Sequence, residues 1–185
     1  MQNLQHKTTV ELDKEHELLI KAQSNPEYFE PIYNSYFERI FRFIYQRVDS
    51  KDEASDITSQ VFLKALTNLR KYQFKDVPFS AWLYRVAINE ISSYYAKSKK
   101  NRVVNIETVQ LSELFNESNT DFKEEQIERI TKALKYLSVD DLLLIEMRFF
   151  ESRSFKEIGD ILNITENNAK VKVYRVIDKL KQQLL

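Results

Sequence analysis

The stretch Ser154-Phe155-Lys156-Glu157-Ile158-Gly159-Asp160-Ile161-Leu162-Asn163-Ile164-Thr165-Glu166-Asn167-Asn168-Ala169-Lys170 decides the fold. Ser154 and Glu157 form a capping box, in which each side chain satisfies an exposed backbone amide at the other residue, so a helix starts at Phe155. Ile158 and Leu162 share one face of that helix. Asn163 ends it, because asparagine tolerates the left-handed backbone of a sharp inter-helix turn. Thr165 caps the next helix, whose apolar side carries Ala169, Val173, Val176 or Ile177, and Leu180. Lys170, Lys172 and Arg175 lie toward other faces. Two short helices, a tight turn and a basic second helix describe a helix-turn-helix. Gly159, the only glycine in the chain, costs about 1 kcal/mol relative to alanine inside a helix. The pattern predicts that the helices cross so closely there that a side chain larger than a methyl group would wedge them apart.

Upstream of this motif, Ser138 to Asp141 offers another helix start, Leu142 to Phe150 reads as a mostly buried helix, and Ile127, Ile130, Leu134 and Leu137 form a stripe. From about Ser98 to Lys123 apolar periodicity fades, which marks a linker. In the N-terminal half, Asn25-Pro26 supplies a cap and a first-turn proline. Phe29, Tyr33, Phe37, Ile40, Ile44 and Val48 then predict an amphipathic helix, with Pro31 in its opening turn or kinking it. A second helix carries Ala54, Ile57, Val61, Ala65 and Leu69, and a third carries Phe79, Trp82, Val86 and Ile91, with the loop Tyr72 to Pro78 between them. One Gly and three Pro in 185 residues leave almost nothing with which to build strand-connecting turns. The expected class is all-α, with two small helical domains joined by a polar linker. The expected boundaries are 1–24 for a tail and short helix, 25–98 for the first domain, 99–124 for the linker and 125–185 for the helix-turn-helix domain.

Lys and Arg number 28 and Asp and Glu 28, so net charge is zero, yet the charges segregate. Lys97, Lys99, Lys100 and Arg102 cluster without an acid, and from Ala169 onward Lys170, Lys172, Arg175, Lys179 and Lys181 outnumber Asp178. Between the two basic patches, Glu107 to Glu128 is predominantly acidic. The absence of Cys excludes disulfides, thiolate metal sites and cysteine nucleophiles, in keeping with a reducing compartment. His6 and His16 fall in a polar N-terminal stretch, and no Gly-rich loop can cradle a phosphate. Asp140-Asp141 reads as a helix N-terminus that attracts acids through its dipole. No catalytic residue, metal or cofactor is therefore expected. Without a signal-peptide pattern, and with apolar runs no longer than those such as Leu142 to Ile145, a cytoplasmic protein is the expectation.

Several segments carry a family resemblance that runs from about Tyr28 to Leu184. Phe79-Ser80-Ala81-Trp82-Leu83-Tyr84-Arg85-Val86-Ala87-Ile88-Asn89 resembles the promoter-melting segment of extracytoplasmic-function (ECF) sigma factors. Ala133 to Leu137, Met147 to Glu151, Phe155 to Gly159 and Val173-Tyr174-Arg175 are similar to that family's region four. The resemblance implies a non-catalytic subunit that binds core RNA polymerase and promoter DNA and is held in check by an anti-sigma factor. It sets the 52–66 helix against a coiled coil of the largest polymerase subunits, with Asp56, Ser59 and Gln60 as contacts. Where the family usually has Asp-x-x-Gln-Glu-x-Phe, this chain keeps only Asp56 and Phe62. It assigns Thr165, Asn167, Asn168, Lys170, Lys172 and Arg175 to the minus thirty-five duplex. Asn167, Asn168 and Ala169 stand where Gly, Thr and Val are common, so the base preference is this chain's own. Minus ten capture is expected from Tyr72, Phe74, Asp76, Trp82 and Asn89, with Lys97, Lys99 and Lys100 along the strand's backbone. Phe74 (or Tyr72) supplies the stacking face and Asp76 and Asn89 the hydrogen bonds, while Trp82 reads either as part of the site or as core. The linker acids Glu107, Glu113, Glu117 and Asp121 read either as phosphate mimics in the polymerase channel or as a plain tether.

The main alternative is a helix-turn-helix regulator that binds duplex DNA without being a polymerase subunit, and a helical scaffold with no nucleic-acid role is a third. A regulator should shift duplex DNA unaided, a sigma factor should need core polymerase and open the duplex, and a scaffold should do neither.

Overall fold

The computed structural model describes residues 9–98, 129–130, 132–134 and 136–184. Ile127, Lys99, Lys100 and the linker acids lie outside the described residues. Among the described residues there is no β-strand, and the chain divides into two compact units.

The N-terminal unit contains α1 (Thr9–Ser24), a 3-10 turn (Pro26–Phe29), α2 (Glu30–Tyr45), α3 (Lys51–Asn68), a second 3-10 turn (Leu69–Lys71) and α4 (Phe79–Ser98). Three of these starts have a local cause. The Asn25 side chain accepts from the Glu27 N–H at 3.1 Å, Ser50 does the same for Glu53 at 3.2 Å, and Pro31 sits in the first turn of α2. Helix α3 packs against both α2 and α4, and its predicted stripe of Ala54, Ile57, Val61, Ala65 and Leu69 is entirely buried. Phe43 and Tyr84 meet edge to face at 4.8 Å in the centre of this core. Lys64 of α3 binds the Glu90 carboxylate of α4 at 2.6 Å.

Three readings change. The segment expected to be a tail and short helix holds α1, whose Glu15, Leu19 and Ala22 are buried. On α2 the buried stripe is Ile32, Tyr36, Ile40, Phe43 and Ile44, so Tyr33 and Phe37 move to a flank and begin an aromatic ladder with Phe41 and Tyr45. On α4 the buried side runs through Ser80, Leu83, Tyr84, Ala87, Ile91 and Tyr95. That turns Trp82 and Val86, expected to be buried with Phe79, toward the opposite side. The physical reason is shared: where a helix carries aromatic or aliphatic residues on more than one side, periodicity admits more than one stripe, and neighbouring elements select one.

The C-terminal unit includes the helical residues 129–130 and 132–134, α5 (Val139–Ile145), α6 (Phe155–Leu162) and α7 (Glu166–Leu184). Ser138 caps α5 by accepting from the Asp141 N–H at 3.2 Å. Past Ile145 the helix widens into a π turn, where the Glu151 N–H donates to the Glu146 carbonyl at 2.9 Å. Leu142, Leu144, Ile145 and Met147 are buried, whereas Phe149 is exposed. Lys179 ties α7 to Asp141 of α5 at 2.6 Å.

Candidate nucleic-acid interface

The helix-turn-helix forms through the devices read in the sequence. The Glu157 N–H donates to Ser154 Oγ at 3.1 Å and the Ser154 N–H to Glu157 Oε2 at 2.9 Å. Burial alone would raise the Glu157 carboxyl, but the Ser154 N–H and the Arg153 guanidinium, 3.1 Å away, outweigh it and hold the pKa below its ordinary value. Asn163 takes the left-handed turn conformation at φ 55°. The Thr165 hydroxyl accepts from the Asn168 N–H at 3.2 Å, so it caps α7. A Cβ on Gly159 would lie 2.8 Å from the Ile164 carbonyl oxygen, 3.2 Å from the Glu166 nitrogen and 3.3 Å from the Thr165 carbonyl carbon. Even a methyl group is too large, a tighter fit than the sequence suggested.

Ala169, Val173 and Val176 bury one side of α7, which decides between Val176 and Ile177 in favour of Val176. Helical geometry then sets Asn167, Val171, Tyr174 and Asp178 in the middle of the outward side. Lys170 stands on one flank, Asn168 and Arg175 on the other, and Lys172 nearer the buried edge; all four are exposed. Sequence reasoning left Val171 and Tyr174, both exposed, out of the DNA-contact set. Their signal was available, since each is apolar and out of phase with the buried stripe. Tyr174 leans on Phe155 of α6 at 6.1 Å.

In the N-terminal unit, the loop from Tyr72 to Pro78 runs into α4. Tyr72 packs against Phe79 at 5.0 Å and Trp82 at 5.3 Å. Burial and the neighbouring Glu15 carboxylate hold the Tyr72 hydroxyl protonated well above its ordinary range. Trp82 is half-buried and Asn89 exposed, and their separation of seven residues, about two turns, brings them to one side of α4 opposite the buried stripe. Ser93 continues that side and Lys97 lies at its edge, both exposed. Asp76 is exposed, with φ 52°. Phe74 is half-buried, and one ring face lies flat on His16 of α1, with centroids 4.1 Å apart and 9° between planes. The histidine that the sequence left in a polar tail thus belongs to this loop's surroundings.

Glu15 is the other residue the sequence did not single out. Its carboxylate accepts from the Tyr36 hydroxyl and, at 3.0 Å, from the Phe79 N–H at the start of α4. The Gln23 amide donates to the Leu69 and Tyr72 carbonyls at 2.9 and 3.0 Å. Helix α1 therefore fixes both ends of the loop. Across the unit, Asp56, Ser59 and Gln60 are exposed on α3. Leu63, 61% exposed, adds an apolar contact to that side one turn further on.

Against known families, residues 32–101 match the model described as Sigma-70 region 2, and residues 127–180 match Sigma-70, region 4. The chain belongs to the sigma-70 family. Several of its relatives are named as sigma factors of the ECF type, and this chain is of that type. It is 27% identical over 172 residues to the ECF RNA polymerase sigma factor BldN of Streptomyces coelicolor, a match that covers 91% of this chain and 65% of BldN. It is 26% identical over 166 residues to the ECF RNA polymerase sigma factor SigW of Bacillus subtilis, covering 84% and 88% respectively. Two solved structures share the fold. CnrH, determined in complex with the cytosolic domain of CnrY, aligns with a TM-score of 0.59 at 17% identity, over 92% of this chain and 96% of CnrH. RpoE of Bartonella quintana, determined with the anti-sigma factor NepR, gives 0.58 at 18% identity, over 84% and 96%. In this sigma factor, among the described residues, no helix is long and apolar enough to cross a membrane.

Proposed function

We propose that this sigma factor divides promoter recognition between its two units. In this reading the 25–98 segment of the N-terminal unit docks on core RNA polymerase through Asp56, Ser59 and Gln60. It captures the unpaired minus ten strand with Tyr72, Phe74, Asp76, Trp82, Asn89 and the lysines Lys97, Lys99 and Lys100. The C-terminal unit, residues 125–185, lays α7 in the major groove of the minus thirty-five element, where Asn167, Asn168, Lys170, Lys172 and Arg175 meet bases and phosphates. Thr165 acts there through its cap. The segment 99–124 joins the two.

The observation that carries the minus ten assignment is the common side of α4, on which Trp82, packed on Tyr72, precedes exposed Asn89 by about two turns. A flipped base needs an aromatic surface and a hydrogen-bonding group within reach of one another. The protein works without catalysis, in the cytoplasm, and an anti-sigma factor binds it; support comes from RpoE, determined in complex with the anti-sigma factor NepR, and from CnrH, determined in complex with the cytosolic domain of CnrY. In vitro transcription from genomic DNA fragments tests the reading. The chain should direct initiation only when added to core polymerase, and thymines around the start should become permanganate-reactive. Binding of duplex promoter by the chain alone, with no effect on core polymerase, would favour the regulator instead.

A further inference from the structure

The loop offered for base capture has one aromatic face already taken. His16 and Phe74 stack at 4.1 Å with 9° between their planes, so no base fits between the rings. An imidazole is a flat aromatic ring with a nitrogen-bearing edge, the same chemistry a nucleobase presents to a phenyl face. The backbone around the pair is held still. Glu15, adjacent to His16, is buried and binds the Phe79 N–H at 3.0 Å, and Gln23 binds the Tyr72 carbonyl at 3.0 Å. His16 itself is half-buried and no part of the hydrophobic core, so its ring can leave by rotating about its own side-chain bonds without moving α1.

We propose that His16 is a stand-in for the captured base. In the free protein its ring covers the Phe74 face, and the unpaired minus ten base takes that face by displacing it. The inference rests on the assignment of Phe74 as the stacking residue. Its consequence has the opposite sign to structural damage: removing the imidazole should help the DNA. The competition concerns one aromatic pair, so His16→Ala should tighten capture by about two- to tenfold. His16→Phe, which keeps a ring of greater stacking area, should weaken it by a similar factor.

The test uses the full chain assembled with core polymerase and a fluorescent single-stranded oligonucleotide. The probe carries the non-template minus ten sequence of a promoter recovered from the genomic transcription assay. Affinity for core polymerase serves as the folding control for each variant. Tighter oligonucleotide binding by His16→Ala and weaker binding by His16→Phe, each with unchanged core affinity, would establish the exchange. If Phe74→Ala abolishes capture while His16→Ala leaves it unchanged or lowers it, the stand-in role is wrong and His16 merely supports the site. If Phe74→Ala leaves capture intact, the base-stacking assignment fails and the proposal fails with it.

Discussion

Replacing Gly159 with alanine sets two effects against each other. Alanine is favoured over glycine in a helix interior by about 1 kcal/mol, so on propensity alone the variant would be more stable. The added Cβ would lie 2.8 Å from the Ile164 carbonyl oxygen, with the Glu166 nitrogen and Thr165 carbonyl carbon at 3.2 and 3.3 Å. All three atoms are backbone, so no rotamer change relieves the overlap. The turn must move as a piece, and it is tied to the glycine by the Ile164 N–H donating to the Gly159 carbonyl at 2.9 Å. Overpacking costs roughly 1–3 kcal/mol, and weakening that hydrogen bond adds up to about 1 kcal/mol. After the propensity gain is subtracted, the C-terminal unit should lose about 0–3 kcal/mol, centred near 1.5 kcal/mol. For a unit of this size the central value is a fall in Tm of roughly 5–15 °C. Thermal denaturation of the full chain, with amide hydrogen exchange across residues 155–180 to localise the loss, measures it. A Gly159→Ala protein with equal or higher Tm and unchanged protection in α6 and α7 would refute the close-crossing argument.

Asp56→Arg together with Gln60→Arg should weaken the complex with core polymerase by about tenfold or more, as read by co-purification and titration; unchanged binding would remove this side of α3 from the docking surface. Asn89→Ala should keep core binding and minus thirty-five recognition but lose permanganate-reactive thymines on an intact duplex, while a pre-melted bubble template should rescue much of the Phe74→Ala defect. Arg175→Ala should cost about 1–3 kcal/mol and relax preference at one base pair if the guanidinium reads a guanine, whereas Lys172→Ala should weaken all sequences evenly; wild-type promoter selection by Arg175→Ala would exclude it. The folded C-terminal unit holds the Glu157 pKa below its unfolded value, so this carboxylate's contribution is complete above the unfolded pKa and drains as pH falls through the folded one. Glu157→Gln should therefore lower stability at pH 7 and flatten the acid limb of the stability curve below about pH 5; an unaltered acid limb would contradict the assignment.

By itself the sequence determined the features that depend on neighbours in the chain. Ser154 and Glu157, Thr165, Ser138 and Asn163 act within a few residues of themselves, so their caps and left-handed turn were legible, and the close approach at Gly159 was legible from its cost. The α3 stripe was equally clear, because its polar and apolar residues separate cleanly at helical spacing. Tertiary structure decided what several elements settle together. Helices α2 and α4 carry aromatic or aliphatic residues on more than one side, and packing chose Tyr36 over Tyr33 and Tyr84 over Trp82 for burial. Contacts between α1 and the loop after α3, such as His16 on Phe74 and Glu15 on the Phe79 N–H, join residues that lie far apart in the chain. No local pattern encodes such a contact, because it is fixed only when separate helices find a common core.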